Sequence, residues 1–96
     1  MSKTLQLGIL GCGDFLRWMT PGLKKSDRIR VKSLFDPDAS RAEKYASSLG
    51  GAAVDNEDAI YDDADIDVVC LFTPPWIRKA QMLRVAEAGK HILATK

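Results

Sequence analysis

At 96 residues the chain holds at most one domain, and a domain of that size buries less than about 70% of its unfolded surface. Hydrophobic residues make up 46% and charged residues 28%, ordinary for a globular protein, and the net charge of +1 excludes a strong global pull toward nucleic acid or a membrane surface. No apolar run approaches the roughly 20 residues that span a bilayer, and the N-terminal Met-Ser-Lys-Thr carries no signal-peptide pattern, so the expected location is cytoplasmic.

Leu5–Leu10 is a short apolar run ending at Gly11, the pattern of a buried parallel strand. Asp14–Lys25 reads as the first helix, with Pro21 inside it, where a kink or an early end is expected. Residues 30–35 form the second strand. Asp36-Pro37-Asp38 then signals a helix start, because Asp can cap and Pro suits the first helical turn. Ala39–Leu49 is the second helix, with Ala39, Ala42, Tyr45, Ala46 and Leu49 at helical spacing, and Gly50-Gly51 ends it. Residues 52–54 are a stub of a third strand, 56–61 a short helix and 62–65 a polar turn. Residues 68–72 are an apolar fourth strand broken by Thr73-Pro74-Pro75. Residues 76–88 are a helix closed by Gly89, and His91–Ala94 is a fifth strand.

Strands alternate with helices throughout, so the expected fold class is α/β, a parallel sheet covered by helices on both faces in three layers, α/β/α. Right-handed crossovers give a doubly wound, Rossmann-like sheet of strand order 3-2-1-4-5, ending after strand 5. Ligands of such sheets bind beyond the carboxyl ends of the strands, at the switch point between strands 1 and 4. The glycine turn at 11–13, Asp36 and Thr73-Pro74 all fall at carboxyl ends, so three separate motifs converge on one crevice.

That convergence suits a dinucleotide. A glycine turn after the first strand lets a pyrophosphate approach bare backbone N–H groups at a helix N-terminus. Gly11, Cys12, Gly13, Asp14 and Phe15 are therefore the candidate phosphate contacts, the plain alternative being a tight strand–helix turn. Asp36 can accept hydrogen bonds from the adenosine ribose hydroxyls, cap the second helix, or do both. A carboxylate there repels a 2′-phosphate, so the cofactor expected is NAD(P), with NAD favoured over NADP; Arg41 would soften that preference but is read as a solvated helix residue. Thr73 and Pro74 either line the nicotinamide side of the crevice or merely break a strand.

Other residues draw plainer readings. Cys12 and Cys70 make no disulfide framework and read as small, buried, reduced side chains, although neighbouring strands make a disulfide conceivable. Basic residues crowd 17–32 and acidic ones 55–67, which is read as two solvated faces on opposite sides of the fold, with a self-complementary, dimer-forming surface as the rival. Trp18 and Trp76 are expected in core or edge packing, with cover for the cofactor as the rival, Arg78, Lys79 and Arg84 on a solvated helix face, and His91 in a structural position. No His, Cys and carboxylate cluster has metal-ligand spacing, and no set for covalent catalysis is visible.

The order and spacing of Gly-Ile-Leu-Gly-Cys-Gly at 8–13, Pro21 and Leu23, Asp36-Pro37-Asp38 with Arg41-Ala42, Asp67-Val-Val-Cys-Leu-Phe-Thr-Pro74 and Glu87-Ala-Gly-Lys-His-Ile-Leu93 resemble the nucleotide-binding half of the glucose–fructose oxidoreductase / inositol dehydrogenase / rhizopine-catabolism (Gfo/Idh/MocA) family. The resemblance implies an NAD(P)-binding domain over residues 1–96 of an NAD(P)-dependent oxidoreductase or dehydrogenase acting on a sugar, polyol or related alcohol by hydride transfer. It implies that Thr73 and Pro74 line the cofactor crevice. It also implies a second, mostly antiparallel domain carrying most of the substrate site, so the chain reads as an N-terminal fragment, inactive alone. Lys96 matches the family's catalytic lysine, which contacts substrate hydroxyls and assists proton transfer. The expected partners are the cofactor, a small sugar-like substrate and a second copy of the chain, the edge strand inviting a homo-oligomer. Leu16, where a small residue lets the first helix pack close, departs from the pattern, as do Pro75, Arg78 and Thr95. Those departures motivate two rivals: a catalytically decayed nucleotide-binding regulatory module, and an interaction module that binds no nucleotide.

Overall fold

The computed structural model describes residues 4–94. Five strands, β1 (Leu5–Leu10), β2 (Ile29–Phe35), β3 (Ala52–Ala53), β4 (Val68–Leu71) and β5 (His91–Ala94), alternate with helices α1 (Asp14–Lys25), α2 (Ala39–Leu49), α3 (Asp58–Tyr61) and α4 (Pro75–Glu87). All strands pair in parallel in the order β3-β2-β1-β4-β5. This is the doubly wound sheet expected from the alternation of elements.

Two apolar layers hold the sheet. On one face Leu16 and Leu23 of α1 and Ala42 and Ala46 of α2 pack with Leu7, Ile9, Val31, Leu34 and Cys70. On the other, Ile60 and Tyr61 of α3 and Val85 of α4 pack with Leu10, Val69 and Leu71. Burying each such large aliphatic side chain contributes roughly 1.5–3 kcal/mol. Leu16 is wholly buried. Its side chain packs into the core between α1 and the sheet.

Several local features follow from single residues. Helix α1 runs on past Pro21 to Lys25 without the early end, and Leu23 beyond the proline still reaches the core. Helix α2 is capped by Asp38, whose carboxylate accepts from the Ser40 N–H at 3.0 Å, and it ends at Gly50 in the left-handed conformation, φ 77°. Residue 56 lies before α3 rather than inside it, where the Asn56 side chain accepts from the Ala59 N–H. The β1–β2 register shifts between Leu7 and Gly8, so Lys32 is an extra residue on β2.

The Lys32 side chain reaches the loop before β4, where its ammonium lies 2.7 Å from Asp63 and 3.2 Å from Asp65. Lys90 donates there to the Asp63 and Ile66 carbonyls. Helices α1 and α3, which overlap the two charged stretches, pack on opposite faces of the sheet, and Lys32 links the end of the basic stretch to the acidic one. Cys12 and Cys70 are buried and free. Burial raises both thiols to about 12, with the Asp36 charge adding to the effect on Cys12.

Candidate functional site

The carboxyl ends of β1, β2 and β4 meet at the glycine turn, and the turn divides into two parts. Gly11 and Cys12 belong to the fold. The Gly11 N–H donates to the Phe35 carbonyl at 2.9 Å, and the Cys12 N–H to Asp36 Oδ2 at 2.8 Å. Gly11 has φ 95°, and a Cβ there would lie 2.5 Å from the Phe72 carbonyl oxygen. Backbone conformation and close approach to β4 both require glycine at this position.

Gly13 differs. Its φ is −98°, which any residue adopts, and a Cβ there would meet nothing within 4 Å. It is the N-cap of α1 and brings no side-chain cap to the helix. The N–H groups of the first turn, including Asp14 and Phe15, have no intrahelical partner and stand at the positive end of the helix dipole. Asp14 and Phe15 are exposed, and the Phe15 ring leans on Phe72 with centroids 4.9 Å apart. Bare backbone facing open space at a helix N-terminus is a cradle that fits a pyrophosphate, and a side chain at Gly13 would fill it.

Asp36 stands half-buried beside this cradle. One carboxylate oxygen accepts from Cys12 N–H and the other from Asp38 N–H at 2.8 Å. It thus ties the end of β2 to the glycine turn, while Asp38 performs the capping of α2. A cleft of about 270 Å³ opens between α1 and α2, lined by Gly13, Asp14, Arg17, Arg41, Lys44 and Tyr45. Arg41 stands 3.6 Å from Asp38.

On the other side of the turn, half-buried Thr73 lies against Gly11; a Cβ on Gly11 would meet its methyl group at 3.1 Å. The Thr73 hydroxyl donates to Gln81 Oε1. Gln81 Nε2 donates to Glu57 Oε1 at 2.8 Å, and the Tyr61 hydroxyl donates to the same oxygen at 2.8 Å. Burial, followed by the Glu57 hydrogen bond, raises the Tyr61 pKa and keeps the phenol a donor. Arg78 Nη2 donates to the Thr73 carbonyl at 2.7 Å. Pro74 is exposed and forms the N-cap of α4.

The sequence reading passed over part of this arrangement. Residues 78, 81 and 85 share one stripe of α4, and Gln81 is only 7% exposed. That stripe reads Arg, Gln, Val, so spacing alone did not mark Gln81 as a buried residue. Arg84 does not merely face water: it pairs with Asp58 at 2.8 Å and lies over the Tyr61 ring. Trp18 and Trp76 are 83% and 82% exposed; the indoles project from the outer faces of their helices, so core packing is not their fate. His91 heads β5, away from the crevice, where its N–H bonds the Asp67 carbonyl. Lys96 and Thr95 lie outside the described residues. Among the described residues no group of His, Cys, Asp and Glu could hold a metal ion, and no helix is long and apolar enough to cross a membrane.

A glycine turn opening onto a helix N-terminus, at the switch point of a doubly wound parallel sheet, defines a dinucleotide-binding domain of Rossmann type. The model of the oxidoreductase family with an NAD-binding Rossmann fold (Gfo/Idh/MocA) matches residues 5–96, and the chain belongs to that family. It is 32% identical over 95 residues to a dTDP-3,4-didehydro-2,6-dideoxy-alpha-D-glucose 3-reductase of Streptomyces violaceoruber, covering 98% of this chain and 28% of the relative. It is 30% identical over 98 residues to inositol 2-dehydrogenase 2 of Saccharopolyspora erythraea, covering 97% of this chain and 28% of that one. Among solved structures it resembles KijD10, a 3-ketoreductase from Actinomadura kijaniata in complex with NADP and TDP-benzene, with TM-score 0.86 and 26% identity over 96% of this chain and 29% of that one. A putative myo-inositol dehydrogenase from Sinorhizobium meliloti gives TM-score 0.88 and 30% identity over 95% and 27% of the two chains. The chain therefore spans little more than a quarter of the length of the relatives it matches.

Proposed function

We propose that the chain is the cofactor-binding domain of an NAD(P)-dependent oxidoreductase that acts on a sugar, polyol or related alcohol. Family membership gives the class, and the open backbone at Gly13 carries the reading. In it the N–H groups of Gly13, Asp14 and Phe15 hold the pyrophosphate, with Gly11 and Cys12 shaping the turn beneath. Asp36 faces the adenosine ribose, and Thr73 and Pro74 line the nicotinamide side. When bound, the nicotinamide supplies hydride transfer. The protein's own work is to orient it and to exclude water from one face.

The Asp36 carboxylate favours NAD over NADP, since it repels a 2′-phosphate. Arg17, Arg41 and Lys44 around the neighbouring cleft reduce that preference without reversing it. Substrate recognition comes from polypeptide outside these 96 residues, and Lys96 contacts the substrate hydroxyl and assists its proton transfer. The buried, reduced thiols suit a cytoplasmic setting.

Isothermal titration of the chain with NAD⁺ and NADP⁺, beside an Asp36→Ala variant, tests this reading. Saturable binding with NAD⁺ tighter is expected, and the variant should weaken NAD⁺ while narrowing the gap to NADP⁺. Absence of heat with either cofactor, from a chain folded by circular dichroism, would sink it.

A further inference from the structure

Both oxygens of the Asp36 carboxylate already hold backbone of the protein itself. Oδ2 accepts from the Cys12 N–H at 2.8 Å, and Oδ1 accepts from the Asp38 N–H at 2.8 Å. The bond to Cys12 crosses from the end of β2 into the glycine turn, next to the bond from the Gly11 N–H to the Phe35 carbonyl. Together the two bonds fix the peptide units that lead into Gly13. Beyond them the backbone has little other support: Gly13 brings no side-chain cap to α1, and a Cβ on it would meet nothing within 4 Å. The direction of the N–H groups that follow is therefore set from behind the turn.

We propose that Asp36 is a positioning residue for the phosphate cradle in addition to being a ribose acceptor: by holding the Cys12 N–H it orients the N–H groups of Gly13, Asp14 and Phe15 toward a pyrophosphate. The inference rests on the cofactor reading above and deepens it. Charge alone requires the opposite behaviour. A carboxylate near a pyrophosphate repels it, so removing Asp36 would tighten the binding of any anion at the turn. Loss of the bond that shapes the turn loosens that binding, because the donors are no longer held ready for the ligand. The sign of the effect separates the two. One consequence is that a replacement of Asp36 that admits a 2′-phosphate also weakens the hold on the pyrophosphate that NAD⁺ and NADP⁺ share.

The probe is 2′,3′-dideoxy-ADP, which keeps the pyrophosphate and lacks the ribose hydroxyls that Asp36 could accept from. Isothermal titration of the chain should show it binding Asp36→Ala roughly 3- to 10-fold more weakly than the parent, the loss that corresponds to one hydrogen bond. Asp36→Asn loses the same charge but keeps an amide oxygen that can accept from the Cys12 N–H. It should therefore bind dideoxy-ADP more tightly than Asp36→Ala, and that difference reports the hydrogen bond with the charge held constant. Asp36→Leu, which keeps the volume and cannot accept, takes the place of Asp36→Ala if the alanine variant does not fold.

Dideoxy-ADP that bound Asp36→Ala as tightly as the parent, or more tightly, would leave Asp36 with the ribose alone and overturn the proposal. So would equal binding by the alanine and asparagine variants, or a lowered melting temperature with no change for dideoxy-ADP, the mark of a bond that serves the fold only. A parent chain that bound NAD⁺ but not dideoxy-ADP would place the affinity outside the cradle and overturn it as well. If the parent bound neither NAD⁺ nor dideoxy-ADP, the cofactor reading itself would fall, and this inference with it.

Discussion

The two rims of the sheet use polar groups in opposite ways. At the amino rim the charges satisfy one another: Lys32 with Asp63 and Asp65, Lys90 with the Asp63 and Ile66 carbonyls. At the carboxyl rim Asp36 holds backbone N–H groups, and the uncapped start of α1 faces open space beside Gly13. Partly exposed ion pairs of this kind contribute modestly to stability. A rim that leaves donors open gives up a helix cap, worth typically about 1 kcal/mol, and keeps those donors for an anion.

Within the carboxyl rim, Gly11 and Gly13 provide the sharpest contrast. Gly11→Val meets the Phe72 carbonyl and a positive φ. It should destabilise the chain by at least about 2 kcal/mol, read as a fall in denaturation midpoint. Gly13→Val has room and an ordinary φ, so its melting temperature should stay within a degree or two of the parent while NAD⁺ binding weakens tenfold or more. Equal losses of stability in both would erase the distinction between the fold half and the ligand half of the turn.

The lateral edges of the sheet differ as well. Strand β3 has two residues, too short to template pairing, whereas β5 has four and exposes Ile92 and Leu93. The 96-residue chain should dimerise or aggregate through β5 with rising concentration. Light scattering that shows a clean monomer at high concentration would count against this.

Alkaline pH probes the interior between the rims. Cys12 and Cys70 ionise near 9.0 when unfolded and only near 12 when folded, and burial raises Tyr61 in the same direction. Each native group then holds a proton that its unfolded counterpart releases. Stability should be level to about pH 8 and fall from pH 9 upward, Cys70 alone contributing about 1.4 kcal/mol per pH unit in that window. Urea midpoints at stepped pH would show it, and a level profile to pH 11 would contradict the buried thiols.

The smallest effect belongs to the amino rim. The Lys32 hydrogen bond lowers the Asp63 pKa below its ordinary 3.8, so the stabilisation is present above that pH and is lost as pH falls through the folded value. Lys32→Met should flatten this acid limb, shift the neutral melting temperature slightly and leave NAD⁺ affinity unchanged. A change in affinity would show that the rims are coupled.

Much of the architecture was legible in the chain because it depends on local pattern. Apolar strands alternating with helical spacings, Gly50 after α2 and the glycine turn after β1 specify a parallel doubly wound sheet with a crevice at its switch point. Legibility stopped where sequence neighbours do not set the environment. Pro21 argued for an early helix end, yet packing by Leu23 carries α1 onward. Trp18 and Trp76, large and apolar, stand exposed on their helices and not in the core that was one of the places expected for them.

The sequence by itself determined the fold class, the strand order and the convergence of Gly11, Asp36 and Thr73, since hydrophobic period and right-handed crossover leave few other solutions. Only the tertiary structure decided that Gly11 serves the fold while Gly13 stays open, that Leu16 is accommodated, and that Gln81 and Glu57 give Thr73 its hydrogen-bond sense. Those outcomes depend on which atoms meet between different elements of the fold, as between Cys12 and Asp36 or Glu57 and Gln81. Steric approach and hydrogen-bond direction between such partners are properties of the packed molecule, with no trace in local spacing.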